Sequence, residues 1–259
     1  MTEKTLEALL FDVDGTLADT ERDGHRVAFN RAFRDAGLDW DWDVDLYEKL
    51  LAVTGGKERI RFYLDEFNRD FARPADLDDF IAGLHRSKTD HYTRLLSEGR
   101  IPLRPGVERL LREARDAGLR LAIATTTTPA NVEALLTHTL GPEAMDWFEV
   151  IAAGDIVPAK KPAPDIFVWA LEQMGLEPAA GLAFEDSENG IRASTGAGLP
   201  TIVTLNDYTR EHAVGDALLV LDQLGEPEAP ARVLAGPADA LGDKGYLSVD
   251  DLHRLHRAA

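Results

Sequence analysis

The sequence predicts an α/β protein: a mostly parallel sheet covered by helices, with a helical block inserted after its first strand. Three observations carry this. Over the second half of the chain, short apolar runs alternate with stretches of helical period, the pattern of strands joined by helical crossovers. One such run stands alone near the start. Between it and the others, strand signals are weak and helical spacing prevails.

Leu6–Phe11 is the first strand, and Asp12-Val13-Asp14-Gly15-Thr16 stands at its end. In the insert, Phe29, Ala32, Phe33 and Ala36 recur at helical spacing, with Gly37 as the stop. Further helices are read over 46–51, 58–67 and 77–96, and Pro102 and Pro105-Gly106 punctuate the return. Val107, Leu110, Leu111 and Ala114 form a helix face ending at Gly118. Leu119–Ala124 is a strand followed by four threonines, Asn131–Leu140 a helix and Phe148–Ala153 a strand. Phe167, Ala170, Leu171 and Met174 line another helix, closed by Gly175. Leu182–Phe184 and Thr201–Leu205 are strands flanking a small-residue helix over 188–197, and Ala217–Leu221 is a further strand. Pro227, Pro230 and Pro237 mark a meandering tail. It ends in a helix from Ser248, where Ser248-x-x-Asp251 reads as a capping box. The expected organisation is an α/β core over 1–20 and 99–225, a helical insert over 21–98 and a C-terminal extension over 226–259.

Composition narrows the function. The 259 residues carry 28 Lys and Arg against 46 Asp and Glu, a net charge of −18. Nucleic-acid backbones and anionic membrane surfaces both select clustered cations, so neither is an expected partner. The absence of cysteine excludes disulfides, zinc–thiolate sites and thiol nucleophiles. No apolar run is long enough for a membrane span. Met1-Thr2-Glu3-Lys4 leads into only a short apolar run, unlike a secretory leader. A soluble, cytoplasmic monomer is expected.

Ligands of open α/β sheets bind at the carboxyl ends of the strands. There the sequence places Asp12 and Asp14, then Thr125–Thr128, then Lys160-Lys161-Pro162, then Glu185-Asp186. Carboxylates from two strands make an oxygen-only cluster that suits Mg²⁺ and not zinc or copper. A hydroxyl and a lysine facing that cation suit a phosphoryl group. A carboxylate can attack phosphorus, and a second carboxyl group can protonate the leaving oxygen and later activate water. Chain chemistry alone does not choose between Lys160 and Lys161, although an adjacent pair is notable among only seven lysines.

The run Asp12-Val13-Asp14-Gly15-Thr16-Leu17-Ala18-Asp19-Thr20-Glu21 closely resembles the first motif of the haloacid dehalogenase-like superfamily. Thr125, Lys160-Lys161-Pro162-Ala163-Pro164-Asp165 and Phe184-Glu185-Asp186-Ser187-Glu188-Asn189-Gly190 resemble its second, third and fourth motifs, in family order. Thr54-Gly55-Gly56-Lys57-Glu58-Arg59 and the threonine run resemble the CbbY-type phosphatases, a group also similar to β-phosphoglucomutase. The resemblance implies a Rossmann-like core with a helical cap. It implies Asp12 as nucleophile and Asp14 as general acid/base. It implies Mg²⁺ held by Asp12, the Asp14 backbone carbonyl and Asp186, supported by Glu185. Thr125 and Lys161 would hold the phosphoryl oxygens, flanked by Thr126 and Thr127. In the cap, Lys57 and Arg59 would meet a distal anionic group, approached also by the backbone of Gly55 and Gly56. Glu21 and His25 would contact sugar hydroxyls. Between Thr20 and His25 the chain is one residue longer than the family pattern.

The expected function is therefore Mg²⁺-dependent hydrolysis of a small sugar phosphate through an aspartyl phosphate, with xylulose 1,5-bisphosphate as the first choice. A phosphomutase, a phosphoglycolate-type phosphatase and a non-catalytic sugar-phosphate sensor are the rivals. His85, His91 and His253 are read as structural, and Trp40 and Trp42 as packing inside the cap.

Overall fold

The computed structural model describes residues 5–259, without the side chains of residues 22 and 23. The opening Met1–Lys4, read above as lacking a leader, lies outside the described residues. Among the described residues, seven strands form one sheet in the order β3-β2-β1-β4-β5-β6-β7. They are β1 (Ala8–Phe11), β2 (Arg120–Thr125), β3 (Val150–Ala153), β4 (Gly181–Glu185), β5 (Thr201–Thr204), β6 (Leu219–Leu221) and β7 (Val233–Ala235). The first six are parallel, and β7 runs antiparallel to β6. The strand order reverses at β1, which lies between β2 and β4, and such a switch point opens a crevice at the carboxyl edge.

Register explains what gathers there. Phe11 is level with Ile123 on one side and Phe184 on the other. The next residues, Asp12, Ala124 and Glu185, therefore emerge side by side, with Thr125 one step beyond. The stacked rings of Phe11 and Phe184, 4.4 Å apart between centroids, hold this register from below.

The strands alternate large and small residues. Leu9, Phe11, Leu121, Ile123, Leu182 and Phe184 face one layer, built with α5 (Val107–Asp116) and α6 (Pro129–Leu140). Ala8, Ala122, Ala124 and Ala183 face the other. The small face brings α7 (Asp165–Met174) and α8 (Glu188–Gly196) close to the sheet. Each fully buried Leu, Ile or Phe contributes about 1.5–3 kcal/mol.

The insert is helical: α1 (Arg26–Asp35), α2 (Val44–Leu50), α3 (Gly56–Glu66) and α4 (Leu77–Ser97). Its separate core is aromatic, with Phe29, Phe33, Trp40, Trp42, Tyr47 and Tyr63 in mutual contact. Trp40 and Trp42 thus pack where the sequence reading put them. Asp43 and Asp76 accept hydrogen bonds from the first turns of α2 and α4. Thr128 and Ser187 do the same for α6 and α8.

The segment after Leu224 departs from the expected meander at residues 233–235, which add β7 to the sheet, while α9 (Val249–Ala258) is the final helix read from Ser248 and packs on α5. Three residues are too few to show a period, so β7 had no sequence signal. The capping box at Ser248 and Asp251 is present as read. Among the described residues no helix is long and apolar enough to cross a membrane.

Candidate active site

The loop after β1 carries the first carboxylates. Gly15 turns it at φ +86°, a conformation open to glycine. A side chain there would also strike Asp186, whose Oδ2 stands 2.2 Å from where a Cβ would be. Asp12, Glu185 and Asp186 are buried, and one carboxylate oxygen of each lies within 4.8 Å of the others.

Lys161 reaches the cluster from the loop before α7. Its ammonium donates to Asp12 Oδ1 at 2.6 Å, Glu185 Oε1 at 2.6 Å and the Ala124 carbonyl at 2.9 Å, which uses all three protons. Lys160 points elsewhere, to Asp155 and Glu58. Geometry thus makes the choice that chain chemistry left open.

Burial pushes Asp12 and Asp186 up from the ordinary carboxylate range, and Glu185 up to about 8, with Lys161 pulling Asp12 and Glu185 back down. Three buried acids share one buried lysine at this point, so all three cannot stay ionised unless further positive charge joins them. Close buried carboxylates take up protons or a cation. An all-oxygen donor set with that charge deficit fits a hard divalent ion.

Asp14 has a different environment. Its Oδ1 accepts from Thr20 Oγ1 at 2.6 Å and from His25 Nε2 at 2.7 Å. Burial would raise it, but His25, then Thr20 and Lys88, outweigh burial and hold it well below the ordinary range. His25 Nδ1 meets Lys88 Nζ at 2.7 Å. An ammonium has no lone pair, so Lys88 donates, and the imidazole must then donate from Nε2 to Asp14.

A cavity of about 290 Å³ opens over these groups, lined also by Glu21, Arg59, Thr125 and Thr126. A small chamber of about 40 Å³ adjoins it, bounded by His25, Gly55, Gly56, Thr127, Asn131 and His85. Thr127 Oγ1 accepts from Asn131 Nδ2 at 2.8 Å, and the Thr127 N–H donates to Thr125 Oγ1 at 3.3 Å. Tyr47 donates to Glu21 Oε2 at 2.5 Å and accepts from Arg59 Nη1 at 2.8 Å. Arg59 is buried, and its Nε has no hydrogen-bond partner in the protein.

Lys57 is not brought to either space. Its ammonium is on Asp155 Oδ2 at 2.5 Å, because the first turn of α3 faces Asp155 in the loop after β3. The two glycines also have a packing reason. A Cβ on Gly55 would meet Glu58 and Lys160, and one on Gly56 would meet the His85 ring. His85, read as structural, borders the small chamber, and burial with nearby Lys88, Lys57 and Lys160 lowers its pKa to about 3.

Sequence reasoning passed over Lys88, Tyr47 and Asn206. Asn206 donates to Asp186 Oδ2 at 2.7 Å. A signal existed for Lys88, which occupies the buried stripe Ile81, Leu84, Tyr92 and Leu95 of α4. Tyr47 and Asn206 stand in no local pattern that marks them.

A carboxylate cluster with a buried lysine, at the switch point of a parallel sheet and under a helical insert, defines a hydrolase of the phosphoryl-transfer kind. The family model of haloacid dehalogenase-like hydrolases matches residues 6–198, and the chain belongs to that family. It is 49% identical to the protein CbbY of Cupriavidus necator over 225 residues, 87% of this chain and 88% of the relative. A crystal structure of a CbbY variant from Rhodobacter sphaeroides in complex with xylulose-(1,5)bisphosphate is 48% identical, with a TM-score of 0.80 over 86% of this chain and 96% of that one. A putative β-phosphoglucomutase structure from Thermotoga maritima is 26% identical, with a TM-score of 0.57 over 78% of this chain and 87% of that one.

Proposed function

We propose that this chain hydrolyses a phosphate ester of a small sugar bisphosphate, xylulose 1,5-bisphosphate being the first choice, through a phosphorylated Asp12. The observation that carries the reading is the buried cluster of Asp12, Lys161, Glu185 and Asp186 facing a cavity with Arg59 on its wall. The 48% identity to a protein crystallised with that bisphosphate supports the substrate.

Asp12 attacks phosphorus while Thr125 and Lys161 hold the phosphoryl oxygens, Lys161 giving up one of its three hydrogen bonds to do so, with Thr126 and Thr127 beside them. Asp12, Asp186 and the backbone carbonyl of Asp14 would hold Mg²⁺, with Glu185 behind them. When bound, the ion supplies charge compensation to a phosphoryl group approached by a carboxylate. Asp14 protonates the leaving sugar oxygen and then takes a proton from the water that attacks the aspartyl phosphate. Its hydrogen bonds to His25 and Thr20 keep it ionised for the second role. To act as an acid it must first leave these partners and take up a proton from solvent, burial then favouring the protonated form that donates to the leaving oxygen. The unpartnered Nε of Arg59 is a buried donor that a second phosphate would satisfy. Glu21, on the cavity wall, would meet sugar hydroxyls, whereas His25, with its ring nitrogens on Asp14 and Lys88, would act through Asp14.

Phosphate release should be measured with Mg²⁺ over a panel of sugar mono- and bisphosphates. Xylulose 1,5-bisphosphate is expected to give the highest kcat/KM. Asp12→Asn is expected to abolish release while the chain still folds; activity surviving in that variant would mean another nucleophile. Arg59→Lys is expected to raise KM for the bisphosphate by about tenfold, and more than for a monophosphate. Equal effects on both would remove Arg59 from the distal site.

A further inference from the structure

Arg104 lies on the chain's return from the insert to the core, and its side chain is buried. Its guanidinium donates mainly to backbone. Nη1 donates to the Gly15 carbonyl, to the Thr204 carbonyl at 2.9 Å and to the Thr204 hydroxyl at 3.2 Å. Nη2 donates to the Leu205 carbonyl at 2.7 Å and the Asp222 carbonyl at 2.8 Å. Nε lies 3.4 Å from Asp19 Oδ1, and the Arg104 N–H donates to the Leu17 carbonyl at 2.9 Å. One planar fork therefore ties the loop after β1 to the ends of β5 and β6. Among side chains, guanidinium alone offers five donors in a fixed plane.

Two of these anchor points are next to the acidic cluster. Gly15 follows Asp14, and its Cα side is packed against Asp186. Leu205 precedes Asn206, which donates to Asp186 Oδ2 at 2.7 Å. Asp186 is thus held between two backbone segments, and Arg104 fastens those segments to each other. A shift of the Gly15 carbonyl relative to Leu205 would change where Asp186 stands with respect to Asp12.

We infer that Arg104 is a positioning residue for the cation-binding carboxylates, setting the place of Asp186 through Gly15 and Asn206. This rests on the reading of the cluster as a Mg²⁺ site. It differs from a role in folding alone because it predicts a defect in cation affinity that runs through Asn206.

The test is calorimetric titration of the full chain with Mg²⁺ alone, without substrate. Wild type, Arg104→Lys, Asn206→Ala and the double variant are compared, with thermal unfolding recorded for each. Lysine keeps the charge but cannot span the four carbonyls. Arg104→Lys and Asn206→Ala are each expected to weaken Mg²⁺ binding about 10- to 100-fold, the range for losing an outer partner of a metal ligand. In the double variant the losses are expected to fall short of their product, because both act on one carboxylate. Wild-type affinity in a folded Arg104→Lys chain, or fully multiplicative losses, overturns the inference. If Arg104→Lys does not fold, Asn206→Ala decides, and unchanged affinity there overturns it. A wild-type chain that takes up no Mg²⁺ overturns the functional reading and this inference with it. Wild-type uptake with unaffected variants overturns this inference alone.

Discussion

Burying a lysine is costly unless something uses its charge, and Lys88 is 4% exposed. Burial brings its pKa down to about 8; Asp14 and Glu21 pull it back up and Arg59 pushes it further down. The other groups facing it are His25 and His85, and its ammonium lies over the rings of Phe29 and Tyr92. Below pH 8 the chain of donors runs one way, from Lys88 to His25 to Asp14. Above pH 8 a neutral amine can accept from His25, and Asp14 loses its obligate donor. The rate is therefore expected to fall on the alkaline side with an apparent pKa near 8. Lys88→Met is expected to remove that limb and to cost about tenfold in kcat, part of the 10²–10⁴ that acid–base catalysis supplies. Stability moves the other way. Between about 8 and the ordinary 10.5 the unfolded chain holds more protons than the folded one, so the Lys88 contribution to stability rises with pH. A pH–rate profile unchanged in Lys88→Met defeats this account. Asp12, Thr125, Glu185 and Asp186 were legible in the sequence because they stand at the ends of apolar runs, and Lys161 because it sits in a lysine pair before proline. A strand end announces itself locally. Tyr47 and Asn206 act through partners 26 and 20 residues away, Glu21 and Asp186, and no local pattern encodes such meetings.

The stretch between Thr20 and His25, read from the sequence as one residue longer than the family pattern, is a structural element of its own. Residues Glu21–His25 form a π-helical turn, and the Arg26 N–H donates back five residues to the Glu21 carbonyl. Single π turns of this kind are frequent at functional sites, and this one carries His25 to Asp14. The bulge has to fit somewhere, and Gly24 is where it presses on α4 and the return segment. A Cβ at Gly24 would stand 2.6 Å from Ile101 Cδ1 and 2.9 Å from Tyr92 Cε2. Gly24→Ala is therefore expected to destabilise the chain by about 1–3 kcal/mol through overpacking, read as a lower urea midpoint at unchanged slope. Wild-type stability would mean that the turn relaxes without strain. Elements with at least one full period were legible in the sequence, down to the glycine stops of α1, α5 and α7. The three-residue β7 was not, because it forms only where β6 offers an open edge, and an edge is a property of the folded sheet.

At the scale of the molecule, the insert and the core meet through charges of alternating sign. Lys57 and Glu58 come from α3; Asp155 and Lys160 come from the loop between β3 and α7. Lys57–Asp155 and Lys160–Glu58 cross the boundary at 2.5 and 3.3 Å. Asn189 of α8 adds a hydrogen bond to Thr54 at 3.2 Å. Hydrogen bonds from Lys57 and Lys160 lower Asp155 to about 2, so it stays ionised at any working pH. Exposed pairs of this kind contribute about 0.2–1 kcal/mol each, too little to hold the insert shut but enough to bias its closure several-fold. The sequence reading gave Lys57 to the substrate, since nothing local reveals a partner 98 residues away. The two roles predict opposite responses. If Lys57 and Asp155 act together to favour closure, Asp155→Asn and Lys57→Ala both raise KM, by about two- to fivefold, and the effect fades at high salt as screening shortens to about 3 Å near 1 M. If Lys57 serves the substrate, removing Asp155 frees a cation at the cavity mouth and KM falls while Lys57→Ala still raises it. The observed pairing favours the first outcome. Steady-state KM for the two variants at low and high ionic strength separates the cases, and a lower KM in Asp155→Asn would return Lys57 to the binding site.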